Sequence, residues 1–254
     1  TFCKFKKNGE LVQPDYQFKL LEMIDGNNKI RPIKIVDMNA WLTFFGIWYA
    51  EGWCNDNTNL ETKTYTTTIS VNKQRVKDAL YPALTLLGYH YYYNENSEKC
   101  SINDIQLYNY MRPLSVGAIN KTLPEWVWNL SKTQCITLLE SMVLGDGCYN
   151  KNNYNRVIYY TNSDKLANDV MQLALHCGWC CNKILHQPVG NTTIMKDGRQ
   201  ITSTAICWRL GIIKNKCEPS INHGHIHEQD IQVERLYDFE GSVYCISVPN
   251  EVFY

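Results

Sequence analysis

Two stretches of the sequence decide the fold: FFGIWYAEG at Phe44–Gly52 and LESMVLGDG at Leu139–Gly147. Each is an apolar segment that favours a helix, ends in a carboxylate (Glu51 or Asp146) and is closed by a glycine. A pattern that recurs within one chain indicates repeated structural units. The sequence therefore predicts two copies of one unit, each introduced by a helix with an acid at its C-terminal end.

Small residues recur at matching positions of the two segments. Gly46 and Ala50 are four residues apart in the first segment, and Ser141 and Gly145 occupy the same two positions in the second. Small residues at this spacing share one helix face and let two helix backbones approach closely. We expect the two helices to pack on each other through these residues and to bring their terminal acids together.

The two acids are placed for chemistry better than for stability. A negative charge at a helix C-terminus is disfavoured by roughly 0.3–1 kcal/mol, and two neighbouring carboxylates need a proton or a cation between them. Hard carboxylate oxygens suit Mg²⁺, which can activate and clamp the oxygens of a phosphodiester. The alternative is that Glu51 and Asp146 are solvated helix ends, an interpretation that fits one acid better than two in matching contexts.

The elements that follow each segment come in the same order. After the first segment the pattern predicts a strand, a helix, a hairpin and a helix, at Thr64–Val71, Gln74–Leu87, Gly88–Asp104 and Ile105–Met111. After the second it predicts a strand, a helix capped by Ser163 and stopped by Gly178, and a hairpin, at Arg156–Tyr160, Ser163–His176, Trp179–Leu185 and Thr202–Ile213. The predicted fold is a pseudo-twofold α+β protein.

Composition narrows the classes of protein. The chain has 254 residues, of which 44% are hydrophobic, enough to form a buried core. It has no long apolar run and no apolar signal at its start, so we expect an intracellular protein without a membrane partner. The eleven cysteines are an odd number and are interpreted as buried thiols. Cys177, Cys180 and Cys181, near His176 and His186, have zinc-ligand chemistry but lack a second matching pair.

The charge distribution leaves a nucleic-acid partner open. The formal net charge is +0, which argues weakly against one. One region is nevertheless basic, with a single acid, Asp197, among Lys183, Lys196, Arg199, Arg209, Lys214 and Lys216. This region favours a locally basic face, and a solvated hairpin is an equally good interpretation.

At the two segments the sequence resembles the double-motif LAGLIDADG homing endonucleases. GAINKTLPEWVWNLS (Gly117–Ser131) looks like the family's connection into the second motif, and TNSDKLANDVMQLALHCGW (Thr161–Trp179) looks like its second-repeat helix. Glu140 and Ser141 depart from the usual small apolar pair. The resemblance implies two α-β-β-α-β-β-α repeats in one monomer with internal pseudo-twofold symmetry. It also implies that strands form a saddle over double-stranded DNA and that the enzyme makes a double-strand break at a rare site.

The resemblance also implies the site residues. Glu51 and Asp146 match the family's metal-binding acids, with Mg²⁺ or Mn²⁺ as cofactor. Lys214 and Lys216 fit a catalytic lysine near the last strand of repeat 2, whereas the first repeat offers only Lys99. Base or phosphate contacts would come from polar and basic residues along strands and in the basic region: Thr64, Thr66, Thr68, Ser70, Lys183, Arg199, Thr202, Thr204 and Arg209.

The last segment, VERLYDFEGSVYCISVPNEVFY (Val233–Tyr254), resembles the strands near the C-terminal end of intein (Hint) domains. We expect it to pair with Asn27–Val36. Splicing needs a nucleophile at residue one, a Thr-x-x-His and a terminal asparagine. The chain has Thr1, no such motif and Tyr254 in these places, so it is not expected to splice as written. His223, His225 and His227 precede this tail in what is interpreted as a solvated linker.

These observations divide the chain into four predicted parts: an N-terminal segment at 1–38, repeat 1 with its linker at 39–130, repeat 2 at 131–223 and an intein-like β segment at 224–254. The expected function is site-specific, metal-dependent cleavage of DNA by an intein-derived endonuclease. Two alternatives stay open. One is a catalytically inactive DNA- or RNA-binding protein of the same fold, such as a maturase or regulator, and the other is an inert intein remnant.

Overall fold

The computed structural model describes residues 14–55, 64–149, 155–194 and 198–215, with the isolated positions 238, 240 and 241. Within this part the helices are α1 Met38–Glu51, α2 Gln74–Leu86, α3 Ile105–Met111, α4 Lys132–Asp146 and α5 Asp164–His176. The strands are β1 Lys19–Leu20, β2 Met23–Ile24, β3 Ile30–Arg31, β4 Lys34–Ile35, β5 Gly52–Cys54, β6 Thr66–Ser70, β7 Tyr91–Asn94, β8 Lys99–Asn103, β9 Gly147–Tyr149, β10 Arg156–Thr161, β11 Cys180–Gln187, β12 Thr192–Ile194, β13 Gln200–Thr202 and β14 Cys207–Ile213.

Two four-stranded antiparallel sheets form the body of the protein. Repeat 1 runs α1-β5-β6-α2-β7-β8-α3, and its strands lie in the order β5-β6-β8-β7. Repeat 2 runs α4-β9-β10-α5-β11-β14, with strands in the order β9-β10-β14-β11 and a hairpin, β12–β13, inserted before β14. The predicted α+β fold of two pseudo-symmetric repeats is confirmed. The last helix that the resemblance implies for repeat 2 would follow residue 215, outside the described residues.

Local sequence signals set the ends of the helices. The side chain of Ser163 caps α5 by accepting a hydrogen bond from the Leu166 backbone N–H. Gly88 and Gly178 follow α2 and α5 with φ of 70° and 78°, a backbone conformation that favours glycine. Ser131 and Gln134 form a reciprocal capping box at the start of α4. These signals confirm the predicted start and stop of α5 and the predicted stop of α2.

The glycine that closes each motif has a different role from the one the sequence suggested. Gly52 and Gly147 have φ of −109° and −111°, so neither is a left-handed helix stop. A Cβ on Gly52 would lie 2.2 Å from Cδ1 of Trp48, and one on Gly147 would lie 2.7 Å from the carbonyl oxygen of Val143. Glycine is required because the chain passes directly from each motif helix into β5 or β9 with no room for a side chain.

The hydrophobic core centres on the two motif helices. Trp41, Phe44 and Phe45 of α1 and Leu138 and Leu139 of α4 are all fully buried. Burial on most sides explains why these helices are largely apolar, and Asn39 of α1 and Glu140 of α4 remain exposed. Among the described residues, each helix is too short or too polar to cross a lipid bilayer.

The N-terminal segment, residues 14–36, packs on repeat 1 as two short strand pairs, β1–β4 and β2–β3. Phe18 anchors it by stacking on Trp41 with ring centroids 4.5 Å apart. Ile24, Ile30 and Ile35 are more than half exposed. The pairing of Asn27–Val36 with the C-terminal tail stays a prediction, because the tail beyond residue 241 lies outside the described residues.

Candidate active site and nucleic-acid interface

The two motif helices touch through the small residues of their shared face. A Cβ added to Gly46 would lie 2.7 Å from Cβ of Ser141, and one added to Gly145 would lie 2.4 Å from Cβ of Ala50. Real Cβ atoms essentially never approach so closely. The Ser141 hydroxyl donates a hydrogen bond to the carbonyl oxygen of Thr137 in its own helix, so this polar residue is satisfied at the contact.

Close packing brings the two terminal acids to one place. A Cβ added to Gly145 would lie 3.0 Å from Cγ of Glu51. Glu51, at the end of α1, therefore lies beside Gly145, the neighbour of Asp146 in the chain. Lys73 joins the two helix ends, because its Nζ lies 2.5 Å from Oε1 of Glu51 and 2.6 Å from the carbonyl oxygen of Gly145. The acids predicted from the paired motifs therefore belong to one cluster.

Asp146 is the acid of this cluster whose pKa is raised. Burial raises the pKa of Asp146 to about 6, with a smaller upward contribution from Glu51 and opposing contributions from Lys121 and Lys73. A carboxyl group with this pKa binds a proton or a cation more readily than a solvated aspartate does. The protonation state of Asp146 therefore changes close to neutral pH.

Lys121 supplies a second cation from the connection between the repeats. Its Nζ lies 2.5 Å from the carbonyl oxygen of Tyr49, at the end of α1. Burial lowers the pKa of Lys121, while the charges of Asp146 and Glu51 raise it. The ammonium group thus lies in a partly desolvated position where its charge acts strongly on both carboxylates.

Arg75 holds the last turn of α4 from the opposite repeat. Its Nε donates a hydrogen bond of 2.8 Å to the carbonyl oxygen of Leu144, and its Nη2 donates one of 2.7 Å to that of Gly147. These carbonyls flank Asp146 in the chain and would lack helical partners at a helix end. Arg75 therefore fixes the backbone that carries Asp146.

Sequence reasoning missed Lys73, Lys121 and Arg75. Lys73 is the N-cap residue of α2 and Arg75 lies in its first turn, positions where a basic residue is unremarkable or slightly unfavourable. Lys121 lies in the connecting stretch Gly117–Ser131, which carried the resemblance without pointing to one residue. A basic residue at a helix N-terminus, against the macrodipole, is the one local signal that could have singled out Lys73.

Lys214, one of the lysines expected from the sequence, lies away from this cluster. Lys214 follows β14 and forms an ion pair with Glu140, at 2.5 Å. Its Nζ also lies 4.8 Å from the ring centroid of Trp179. Glu140 precedes Asp146 by more than one helical turn, and Lys214 is not among the charges that shift the pKa of Asp146. Lys216 lies outside the described residues.

The chemistry of the donor set fits a small divalent cation. Glu51 and Asp146 offer hard carboxylate oxygens, and Mg²⁺ is commonly held by one or two carboxylates together with water and phosphate oxygens. Burial and the charge of Glu51 raise the pKa of Asp146 more than Lys121 and Lys73 lower it, so a further cation would stabilise this carboxylate. Glu51 and Asp146 are therefore the residues that would hold Mg²⁺ or Mn²⁺.

Each sheet has one face turned away from the helices, which we call its open face. In repeat 1, alternate residues of β6 and β8 point to it, and the register pairs Thr66 with Asn103, Thr68 with Ser101 and Ser70 with Lys99. Trp53 of β5 and Tyr92 of β7 extend the central pair into a row of four. The opposite face, with Ile69, Cys100 and Ile102, is buried.

The open face of repeat 2 has a different chemistry. The register of β10 and β14 pairs Arg156 with Ile213, Ile158 with Gly211 and Tyr160 with Arg209. Cys148 of β9 and the alternate residues of β11 extend these rows, the latter being Cys180, Asn182 and Ile184. Val157, Leu210 and Ile212 face the helices and are buried.

The structure separates the residues expected to contact DNA into groups. Thr66, Ser70 and Arg209 are partly exposed on the open faces, whereas Thr68 lies on the same face of β6 but is buried. The exposed Thr64 precedes β6. Exposed Arg199, Thr202 and Thr204 lie on or near the β12–β13 hairpin, where Thr192 and Thr202 are paired.

Lys183 differs from the expectation, because it points to the helix side of β11. Its Nζ lies 2.5 Å from Oδ1 of Asp164 and 2.8 Å from Oδ1 of Asn168.

The cysteine group of repeat 2 is divided by the sheet: Cys180 lies on the open face, whereas Cys177 and Cys181 lie toward the helices. Cys177 is buried at the end of α5, and burial raises the pKa of Cys181 to about 12. Such a thiol stays protonated and is a poor metal ligand. Within the described ranges no group of three or more His, Cys, Asp or Glu side chains could hold a metal ion. His223, His225 and His227 lie outside those ranges.

Two curated proteins share much of this sequence. The chain is 35% identical over 286 aligned positions to a DNA-directed RNA polymerase subunit beta C-terminal section from Stigeoclonium helveticum, an alignment that covers 99% of this chain and 26% of that protein. It is 33% identical over 218 positions to an ATP-dependent Clp protease proteolytic subunit from Chlamydomonas moewusii, covering 82% of this chain and 21% of that protein. The chain thus spans about a quarter or less of the length of these relatives.

Solved structures show weaker likeness. Mesophilic variants of the homing endonuclease I-DmoI are similar with a TM-score of 0.46 and 12% identity, covering 69% of this chain and 87% of that one. Full-length DUF199/WhiA from Thermatoga maritima is similar with a TM-score of 0.41 and 10% identity, covering 70% of this chain and 51% of that one. No model of a protein family matches the chain.

Proposed function

We propose that this protein is a LAGLIDADG-type endonuclease that makes metal-dependent double-strand breaks in DNA and resides as an inserted, intein-type module within a host protein. The observation that carries the nuclease part is the convergence of Glu51 and Asp146 at the contact of α1 and α4, with Lys73 bridging the two helix ends. Two carboxylates and two ammonium groups between two strand-built open faces suit an anionic, extended substrate.

The residues of the cluster have separate proposed roles. Glu51 and Asp146 would bind Mg²⁺ or Mn²⁺, which when bound activates water and neutralises charge on a scissile phosphate. Lys73 and Lys121 hold positive charge at the ends of the motif helices and would attract and orient the phosphate. Arg75 fixes the backbone around Asp146. One acid from each repeat is consistent with one cut in each strand by a pseudo-symmetric monomer.

The relatives support an inserted module. An RNA polymerase subunit and a protease subunit have no activity in common, yet each matches this chain over about a quarter or less of its own length. A segment shared by hosts of unrelated function behaves as an independent unit that has entered both. We propose an intracellular location as well, because the proposed substrate is DNA.

Cleavage of a randomised duplex library is the primary test. We expect the wild type to cut specific sites in Mg²⁺ or Mn²⁺ and to leave them intact in EDTA, while Glu51→Gln and Asp146→Asn bind the same sites without cutting. Lys73→Met and Lys121→Met should each lower the cleavage rate by 10-fold or more, because each removes a charge beside the acids. Lys214→Met is the matched control and should change the rate less, because Lys214 is paired with Glu140.

The result separates the proposed enzyme from its alternatives. Specific binding without cutting by the wild type would assign the chain to DNA-binding proteins of this fold. Absence of binding to any duplex at low salt would indicate an inert remnant. Equal cleavage by the wild type and Asp146→Asn would contradict the proposed role of the acid pair.

A further inference from the structure

The two open faces differ in the kind of contact they can make with a base. The six residues that β6 and β8 of repeat 1 turn to the open face all carry a hydroxyl, amide or ammonium group: Thr66, Thr68, Ser70, Lys99, Ser101 and Asn103. The six that β10 and β14 of repeat 2 turn to it include two isoleucines and a glycine: Arg156, Ile158, Tyr160, Arg209, Gly211 and Ile213. The two central strands of each repeat therefore present different chemistry. The edge strands of repeat 1 add two aromatic rings, Trp53 and Tyr92, to its open face.

Three isoleucines of repeat 2 lie on its open face, one in each of three successive rows. Ile158 lies between Cys148 of β9 and Gly211 of β14 in the middle row. Ile213 of β14 lies in the row on one side, and Ile184 of β11 lies in the row on the other. Ile184 is 48% exposed, and Ile158 and Ile213 are half-buried. Covering the exposed part of an aliphatic side chain with another apolar group is favourable.

Few hydrogen-bonding side chains lie next to Ile158. Gly211 has no side chain, and a Cβ there would meet nothing within 4 Å, so the surface is open above it. Arg156 lies beside Ile213, and Arg209 lies beside Ile184. The arrangement places single apolar contacts next to groups that can contact phosphate or guanine.

In the major groove of DNA, the C5 methyl group of thymine is the one apolar feature of a base edge. We infer that the half of the DNA site under repeat 2 is rich in thymine and is recognised through methyl contacts with Ile158, Ile184 and Ile213, whereas the half under repeat 1 is recognised through hydrogen bonds. This inference rests on the proposed function. It adds the base preference of one half-site and its physical basis.

Thymine-to-uracil replacement tests the inference, because it removes the methyl group and leaves every hydrogen-bonding atom in place. A duplex selected for binding from a random library would be prepared with uracil in one half at a time. A photo-crosslinking residue at Asn182, which is exposed on the open face of repeat 2, assigns each half to its repeat. We expect the dissociation constant to rise about fourfold for each methyl group lost under repeat 2, with little change under repeat 1.

Matched variants localise the effect. Ile158→Ala should weaken binding and also abolish the uracil penalty at the base it contacts. Ser101→Ala occupies the corresponding row of repeat 1 and should weaken binding while the uracil penalty stays unchanged. Circular dichroism and thermal unfolding of both variants show that they are folded.

The outcomes are distinguishable. The inference is overturned if the protein specifically cleaves a duplex whose half under repeat 2 lacks thymine. It is also overturned if replacing thymine by uracil in that half does not change binding. In both cases the proposed nuclease function still holds. Loss of affinity that is equal for uracil in the two halves also overturns it. If selection recovers no duplex, the proposed function fails and the inference fails with it.

Discussion

Repeats 1 and 2 share a backbone arrangement but differ in which basic residue offsets the negative charge of their acid. In repeat 1, Lys73 at the N-cap of α2 pairs with Glu51 from the same repeat. The corresponding N-cap of α5 is Ser163, whose hydroxyl donates a hydrogen bond to the carbonyl oxygen of Lys121. The charge that acts most favourably on Asp146 comes instead from Lys121, in the connection between the repeats.

This difference separates what the fold requires from what the chemistry requires. Close packing of α1 on α4 needs small residues at the same positions of both helices, so the two motifs look alike in sequence. The cations only need to reach the acids, and different elements provide them in the two repeats. The pseudo-symmetry therefore predicts where the acids are and does not predict where their basic neighbours originate.

The largest expected effect comes from breaking the contact that both repeats share. Gly145→Val would place a branched side chain where even a Cβ alone would lie 2.4 Å from Cβ of Ala50. Overpacking against a helix backbone should destabilise the protein by about 3 kcal/mol or more. Urea denaturation measures this loss. Gly211→Ala is the control and should change stability by less than about 0.5 kcal/mol, because its Cβ meets nothing within 4 Å. Equal effects would show that the helices do not pack as described.

The second prediction concerns the uneven compensation of Asp146. The folded-state pKa of about 6 lies above the ordinary value of 3.8, so between these pH values the folded protein binds more protons than the unfolded chain. In EDTA, stability should therefore fall as pH rises from about 4 to about 6, by up to about 3 kcal/mol. Asp146→Asn should remove this decrease and be more stable than the wild type at pH 7.

Thermal unfolding across pH 4–8 makes this measurement. Mg²⁺ should restore stability to the wild type at pH 7 and have little effect on Asp146→Asn, because the cation replaces the proton as the partner of the carboxylate. A decline with pH that is the same in the variant would mean that a different group titrates.

The third prediction tests the contact between repeats at Arg75. Arg75→Ala removes two hydrogen bonds to carbonyl groups of Leu144 and Gly147 and should lower stability by about 1–2 kcal/mol. It should also slow cleavage more than it weakens DNA binding, because it loosens the backbone that carries Asp146. Lys165 occupies the pseudo-symmetric position, the second residue of α5, and is exposed. Lys165→Ala should leave both stability and cleavage nearly unchanged.

Sequence reasoning was accurate where one local pattern carries the information. The extents of α3 and α5 follow from apolar spacing, Ser163 and Gly178, and the repeated motif predicted the pseudo-twofold fold. The short strands β5 and β9 were missed because a glycine after a helix normally indicates a stop. Here Gly52 and Gly147 begin strands for a steric reason that depends on Trp48 and Val143.

The cations of the candidate site were harder to predict because tertiary packing selects them. The chain has 25 lysines and arginines, and nothing local distinguishes Lys121 from the others before α1 and the connection are placed together. The expectation for Lys183 rested on the charge of its region, which does not determine the face of the strand to which a side chain points. The register of β11 with β14 decides that face.

The smallest expected effect is that of replacing Lys183, and the comparison is between the two faces of the repeat 2 sheet. Lys183 pairs with Asp164, whose side chain is 60% exposed, and such ion pairs contribute about 0–1 kcal/mol. Lys183→Ala should therefore have little effect on stability and should leave DNA affinity and its salt dependence unchanged. Arg209→Ala, on the open face of the same sheet, should weaken DNA binding about 5- to 100-fold. Fluorescence anisotropy at several salt concentrations measures both variants. A comparable loss from Lys183→Ala would mean that the DNA reaches the helix side of β11 and that the open face is not the binding surface.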